Sequence, residues 1–267
     1  MKKKDRDKRI DRNIEEISLN AFPAAFVDLY DGWVIRRTPN YPSRRINSVN
    51  VLTTSSGEGI HHKIDYCEAF FKERYSEIAF KMTNRETHNA MDILLASRGY
   101  LKVTPTNVMI LNLDTDFEPN LNFQSKDIDM GTLTMSIEET LEPKWLEDYI
   151  AFKCLSEKEC NALQACLGKI SNPVLYLSVR DRDKWIGAGQ AVVEAGYVGL
   201  FDIAVHEQYR CKGIGKAIMR TLLEKAKEMG AEIAYLQVVA DNEAAKRLYG
   251  NLGFQELYQY WYRVKSF

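Results

Sequence analysis

Two hydrophobic periods alternate along this chain. Short apolar or alternating runs read as strands, and stripes at three-to-four spacing read as amphipathic helices. Ile14, Ile17, Leu19 and Phe22 predict a short helix over 13–25. Asp31-Gly32 between two β-prone runs, 26–30 and 33–36, predicts a hairpin. A strand over 46–52 follows, then a helix over 60–75 with Ile60, Ile64, Cys67, Phe70 and Phe71 as its stripe. Next come a short strand over 78–82, a helix capped by Thr87 and stopped at Gly99, and a β-prone stretch over 101–113 broken by Pro105. Residues 114–130 are rich in Asp and Asn and lack periodicity, which marks a linker.

The pattern then restarts. A strand over 132–137 leads to helices over 143–152 and 157–167, the first with proline in its opening turn. Strands over 174–179, 185–193 and 197–205 are joined by short turns. A glycine-rich turn opens a helix whose buried face is Ile214, Ala217, Ile218, Leu222, Ala226 and Met229, ended by Gly230. The run 233–239 is almost wholly apolar, as suits a strand covered on both faces. Asp241 is the expected cap of a last helix, stopped by Gly253 and followed by an aromatic strand over 254–264.

The two stretches are alike. A shift of 154 positions lays Gly99-Tyr100 on Gly253-Phe254, Ala90 on Ala244 and Leu94 on Leu248. With a slip of two, Gly57-x-Gly59 falls on Gly213-x-Gly215. The expectation is one fold used twice, with the first copy eroded. Thr54 replaces the arginine before the glycines, and Leu95 stands where the second copy has Tyr249.

Composition narrows the class. With 267 residues, 45% hydrophobic and 27% charged, the chain suits two globular domains. A net charge of −1 gives no global basic field for nucleic acid. Five cysteines without a C-x-x-C pair point to reduced thiols in the cytoplasm. No apolar run approaches the ~18–20 residues that span a bilayer. The basic start, residues 1–9, lacks the apolar core of a signal peptide and reads as a solvated arm. No His or Cys spacing suggests a metal site.

The segment Arg210-Cys211-Lys212-Gly213-Ile214-Gly215-Lys216 between strand and helix is an anion site. A helix start offers unpaired N–H groups at the positive end of the dipole, and glycines allow close approach. It is not a Walker turn, because position 217 is Ala where a hydroxyl is needed, nor a dinucleotide fingerprint, because position 218 is Ile. It fills the pattern [QR]-x-x-G-x-[GA]. Together with Asn242, Ala245, Tyr249 and Gly253-Phe254 downstream, and Asp202-Ile203-Ala204-Val205 upstream, it resembles the GNAT superfamily of acyl-CoA N-acyltransferases. The likeness covers about 175–254, and reaches the first half only through the repeat.

That resemblance implies an α/β, tandem GNAT-like fold with a mixed, mostly antiparallel sheet flanked by helices. Residues 1–125 would be a degenerate, non-catalytic copy that shapes the acceptor site, and 126–267 the catalytic one. Acetyl-CoA, the co-substrate, would lie in a cleft between the splayed strands 197–205 and 233–239. It would be held by the backbone of Ile203, Ala204 and Val205, by the turn Arg210, Cys211, Lys212, Gly213, Ile214, Gly215 and Lys216, and by Asn242 and Tyr249. The implied reaction is attack of a primary amine of a small molecule or protein on the thioester. Asp202 is the candidate to draw in or deprotonate the amine, the Val205 N–H to stabilise the oxyanion, and Tyr249 to protonate the leaving thiolate. The non-enzymatic alternative is an acyl-CoA-binding sensor or scaffold. A monomer or a homodimer fits equally. Arg36, Arg37, Arg44 and Arg45 form a basic cluster, read as a solvated loop, with binding an acidic acceptor or closing over the cofactor as the alternative. His206 stands one residue beyond the active strand, within reach of a substrate.

Overall fold

The computed structural model of the chain describes residues 3–53, 59–114, 117 and 133–267. Gly57 and Thr54 of the repeat, and 115–116 and 118–130 of the expected linker, lie outside them. The chain forms two compact units, Met1–Val108 with Leu257–Phe267, and Met109–Glu256.

The first unit holds strands in the order β1-β2-β3-β4-β11-β5. Strands β1 (Phe26–Tyr30) and β2 (Trp33–Arg37) form the expected hairpin. Asp31 and Gly32 both take positive φ, 43° and 77°, the signature of a type I′ turn. Strand β3 (Ser48–Val51) pairs antiparallel with β2 and parallel with β4 (Glu77–Thr83). Helices α2 (Gly59–Lys72) and α3 (Glu86–Ser97) pack on a core of Trp33, Ile35, Ile64, Phe71, Phe80 and Met82.

Helix α1 (Lys3–Ala21) starts ten residues earlier than the sequence pattern places it, so the basic start is helical. Ile10 extends the buried stripe of Ile14 and Ile17, and Pro23 limits the helix at its other end. The arginine cluster is mostly structural. Arg36 is buried and donates to the carbonyls of Leu19, Phe22 and Arg45, closing the end of α1. Arg37 pairs with Asp28 at 2.7 Å, and Arg44 with Glu77 at 3.0 Å.

Strand β5 (Leu101–Asn112) is not broken by Pro105, because Thr104 takes a φ of 52° and the strand resumes. Thr87 is not a cap: α3 begins at Glu86 after Arg85, which makes no side-chain capping bond.

The second unit holds the order β5-β10-β9-β8-β7-β6. Strands β6 (Leu133–Glu138), β7 (Val174–Asp181), β8 (Lys184–Glu194) and β9 (Tyr197–Val205) pair antiparallel. β10 (Ile233–Val239) joins β9 in parallel. Helix α6 (Ile214–Glu228) covers one face, with Leu175, Leu177, Ile186, Ile218 and Leu222 in its core. A Cβ on Gly189 would meet Ile218, Leu222 and Ile203 within 2.7–2.9 Å, so glycine in β8 lets α6 come close. The alternate side chains face α4 (Pro143–Lys153). There Trp145 stacks on Tyr149, tilts against Tyr176 and donates its ring N–H to the Leu177 carbonyl at 3.1 Å. Helix α5 (Glu157–Leu167) opens with a capping box from Ser156 and Glu159.

Each unit is completed by strand residues from the other half of the sequence. Ten residues of β11 (Gln255–Ser266), from Leu257 on, belong to the first unit, where seven pair with β4. Residues Met109 to Asn112 of β5 belong to the second, beside β10, where Leu113 N donates to Glu232 O at 2.9 Å.

The repeat is visible in hydrogen bonds. Gly99 N and Tyr100 N close α3 onto Ala96 O and Leu95 O, both at 3.0 Å. Gly253 N and Phe254 N close α7 (Glu243–Gly250) onto Gly250 O and Tyr249 O at 3.0 and 3.1 Å. All four bonds correspond under the shift of 154.

Candidate active site

Strand β9 changes character at Asp202. Ala188 of β8 faces Ala204, and Gln190 faces Phe201, so Gly189 alone opposes both Asp202 and Ile203. This is a β-bulge, and Asp202 carries it with a φ of 52°. The parallel pairing with β10 runs only from Tyr197–Ile233 to Leu200–Leu236 and then stops. Beyond the bulge, β9 is paired on its β8 side alone. His206 N donates to Ile186 O at 2.7 Å, so by strand alternation the backbone groups of Ile203 and Val205 point to the open edge.

The open edge leads into the glycine turn. Cys211 and Gly213 take φ of 60° and 87°, which turns successive amides toward one side. The first helical bond of α6 comes from Ala217 N to Gly213 O, at 3.0 Å. Among the described residues, the six N–H groups from Cys211 through Lys216 find no protein acceptor. Gly213 is needed for its positive φ. Gly215 has another constraint: a Cβ there would sit 3.3 Å from Leu248 and 3.7 Å from Val205.

Side chains gather round the same edge. Tyr249 of α7 is half-buried, with its ring edge-on to Phe254 at 6.1 Å. Burial raises its phenol above the usual 10, and the hydroxyl makes no hydrogen bond among the described residues. The Asp202 carboxylate is half-exposed and likewise unpartnered. Asn242, and not Asp241, caps α7: its Oδ1 accepts from Ala245 N at 3.1 Å. Arg210 donates Nε to the Val205 carbonyl at 3.2 Å, so it braces the end of β9. Lys212 lies over the Tyr209 ring, whose hydroxyl donates to Asp181.

The matching place in the first unit is closed. His88 corresponds to Asn242 under the shift of 154. The His88 ring lies between the ends of the parallel pair β3 and β4. Its Nδ1 accepts from Thr83 N at 3.0 Å, and its Nε2 lies 3.1 Å from Val51 O. Bonding of Nδ1 as acceptor and Nε2 as donor fits the neutral ring, and burial lowers its pKa. Sequence spacing alone gives His88 no role, because the ring acts on two strands brought together only by folding.

A splayed parallel pair ending in an amide-rich turn is the arrangement that the resemblance to GNAT acyltransferases implies. Residues 138–254 match the family described as "Acetyltransferase (GNAT) family". It is similar along its length to an uncharacterized N-acetyltransferase, YobR, of Bacillus subtilis (strain 168). The two are 27% identical over 95% of this chain and 98% of the relative. The [Ribosomal protein bS18]-alanine N-acetyltransferase of Escherichia coli (strain K12) is 40% identical over 57 residues, which is 21% of this chain and 38% of that protein. Among solved structures, a tandem GNAT protein from the clavulanic acid biosynthesis pathway superposes with a TM-score of 0.68. Identity there is 11%, over 95% of this chain and 87% of that one. A GCN5-related N-acetyltransferase from Kribbella flavida gives 0.67 at 13% identity, over 96% and 95%. The protein is therefore an acyltransferase with a tandem GNAT fold. Among the described residues no helix is long and apolar enough to cross a membrane, and no group of three or more His, Cys, Asp or Glu is placed to hold a metal ion.

Proposed function

We propose that the protein moves the acetyl group of acetyl-CoA to a primary amine of a small molecule or protein, in the cytoplasm, by direct attack on the thioester. The observation that carries this reading is the run of six unpartnered amides continuous with the free edge of β9. Such amides suit a diphosphate, and an unpaired strand edge suits an amide-bearing arm. Acetyl-CoA has both, and when bound it supplies the activated acetyl group.

The chain's own residues divide the rest of the work. Ile203 and Val205 orient the donor through backbone groups, and the Val205 N–H offers a hydrogen bond to the oxygen that gains charge. Asp202, turned outward by the bulge, draws in the amine and accepts its proton. Tyr249 keeps its proton at neutral pH, because burial raises its pKa, and gives it to the departing sulfur. Asn242 flanks the donor through its amide NH2, its oxygen being committed to the cap. In this reading the sequence halves 1–125 and 126–267 are the ancestral copies, and the first serves as a non-catalytic support.

The test is thiol release from acetyl-CoA across a panel of amines. The panel includes peptides with a free N-terminal alanine, since the Escherichia coli relative's name specifies an alanine acceptor. Free thiol that depends on both amine and enzyme supports transfer. A non-catalytic acyl-CoA sensor shares the same cleft. It is favoured by the fact that Asp202 is the sole carboxylate between Phe201 and Val205 and is itself the bulge residue. Heat protection by acetyl-CoA with no thiol release would select the sensor, and no protection at millimolar acetyl-CoA would remove both readings.

A further inference from the structure

An open cavity of about 510 Å³ lies on the α4 face of the second unit. Its walls are Asp148, Ala151 and Phe152 of α4, Trp185 of β8, and His206, Glu207 and Arg210 after β9. Apart from Arg210, which immediately precedes the amide run, its walls lie on the side of β9 that pairs with β8, while the free edge faces β10. Its volume falls in the usual range for small-molecule pockets.

The chemistry of the walls is specific. Phe152 and Trp185 form a tilted ring pair, 5.0 Å between centroids, which suits a flat apolar body. Trp185 Nε1 and His206 Nδ1 lie buried behind the wall without a hydrogen-bond partner, so the surface these two residues offer the cavity is chiefly ring. Asp148 is already committed to Arg180 and to Lys144, the latter at 3.1 Å. Glu207 is exposed at the rim. Arg210 uses only Nε, and its two terminal nitrogens carry no hydrogen bond or ion pair among the described residues. A guanidinium fork left free beside an aromatic wall is matched by a carboxylate or similar planar anion on a ring-bearing molecule.

We propose that this cavity seats the non-reacting end of the acceptor, a flat apolar group bearing an anion that pairs with Arg210. The proposal rests on the acetyl-transfer reading. It adds the substrate class: a primary amine tethered to an anionic aromatic or similarly flat group. His206 lies four positions beyond Asp202, which at about 3.3 Å per residue places the two ends of the acceptor about 13 Å apart.

Two measurements separate this proposal from the reaction itself. The first is calorimetric binding of 3-phenylpropanoate, which has ring and carboxylate but no amine to acetylate. It is expected to bind whether or not coenzyme A is present, and at least tenfold more weakly to Arg210→Gln and to Trp185→Leu. No binding at millimolar probe, displacement by coenzyme A, or unchanged affinity in both variants overturns the proposal. The second is thiol release with 4-(4-aminobutyl)benzoate against 4-phenylbutylamine. The carboxylate is expected to lower KM at least tenfold, and Arg210→Gln to erase that advantage. Equal KM values with robust thiol release overturn the cavity's role while acetyl transfer stands. Binding of 3-phenylpropanoate with no thiol release from either amine leaves a ligand cavity and overturns its assignment to the acceptor.

Discussion

His88 and Asn242 occupy the same place in the two copies of this fold and do opposite things. In the first unit an imidazole spans the ends of the parallel strands, bonding to Thr83 and Val51. In the second the amide turns back to cap its own helix, and the strands part after Leu200 and Leu236. The same contrast appears two helical turns further along. Leu95 is fully buried in the first core, whereas Tyr249 presents an unpartnered hydroxyl. The open edge in the second unit is thus a place where polar backbone is left unpaired. Filling it with a side chain converts it into ordinary core.

The sharpest way to break this comparison is at Leu95 and Tyr249. Tyr249→Phe is expected to lower kcat by about 100-fold, the scale of a lost general acid, while acetyl-CoA affinity stays within about threefold. Leu95→Ala is expected to cost about 2–5 kcal/mol of stability and to leave kcat per folded molecule unchanged. Steady-state kinetics beside denaturant melts decide it, and unchanged turnover in Tyr249→Phe removes that residue from the mechanism. Gly213→Val comes next. A branched side chain at a φ of 87° distorts the amide turn, so KM for acetyl-CoA is expected to rise at least tenfold.

His88→Ala strips partners from Thr83 N and Val51 O, and about 1–3 kcal/mol of stability is expected to go with them. Hydrogen exchange then locates the loss in β3 and β4, with the glycine turn unaffected. Acidity gives a milder version of the same experiment. Burial holds the folded His88 pKa below its ordinary 6.5, with Arg85 and Lys81 adding to the shift and Glu15 opposing it. The unfolded chain therefore takes up the proton first, so stability falls as pH drops below about 6.5 and levels off beneath the folded pKa. Glu15 adds a second loss below 4.5. Burial alone would raise its pKa, but Lys81, the Tyr258 hydrogen bond and Arg85 outweigh that and hold it low. The first unit should soften first on acidification, and His88→Ala should flatten the decline between pH 7 and 5. The smallest effect is Asn242→Ala, about 1 kcal/mol from a lost cap, seen as faster exchange in α7.

Much of this is legible in the sequence because it is local. The Asp31-Gly32 turn, helices α4 and α5, and the glycine turn all follow from residues near one another in the chain. What cannot be read there depends on partners distant in sequence. Pro105 reads as a break because nothing in the sequence shows that Thr104 absorbs the kink. Asp202 is visible as a carboxylate but not as a bulge, though Gly189 opposite it is a usable signal. Arg210 fits the motif, yet its bond to the Val205 carbonyl needs the folded turn. Asp241 and Asn242 are both good caps by composition, and only backbone geometry chooses between them.

The crossed strands have a consequence for how such a chain can change. Because the end of β5 and most of β11 lie in the unit built mainly from the other half, neither half of the sequence encodes a finished sheet. A gene cut within 114–130 would yield two fragments, each missing an interior strand and each exposing a raw edge prone to aggregate. The first half of the sequence supplies Met109 to Asn112 of β5 to the sheet that carries the open edge of β9, and deleting it would leave β10 without that neighbour.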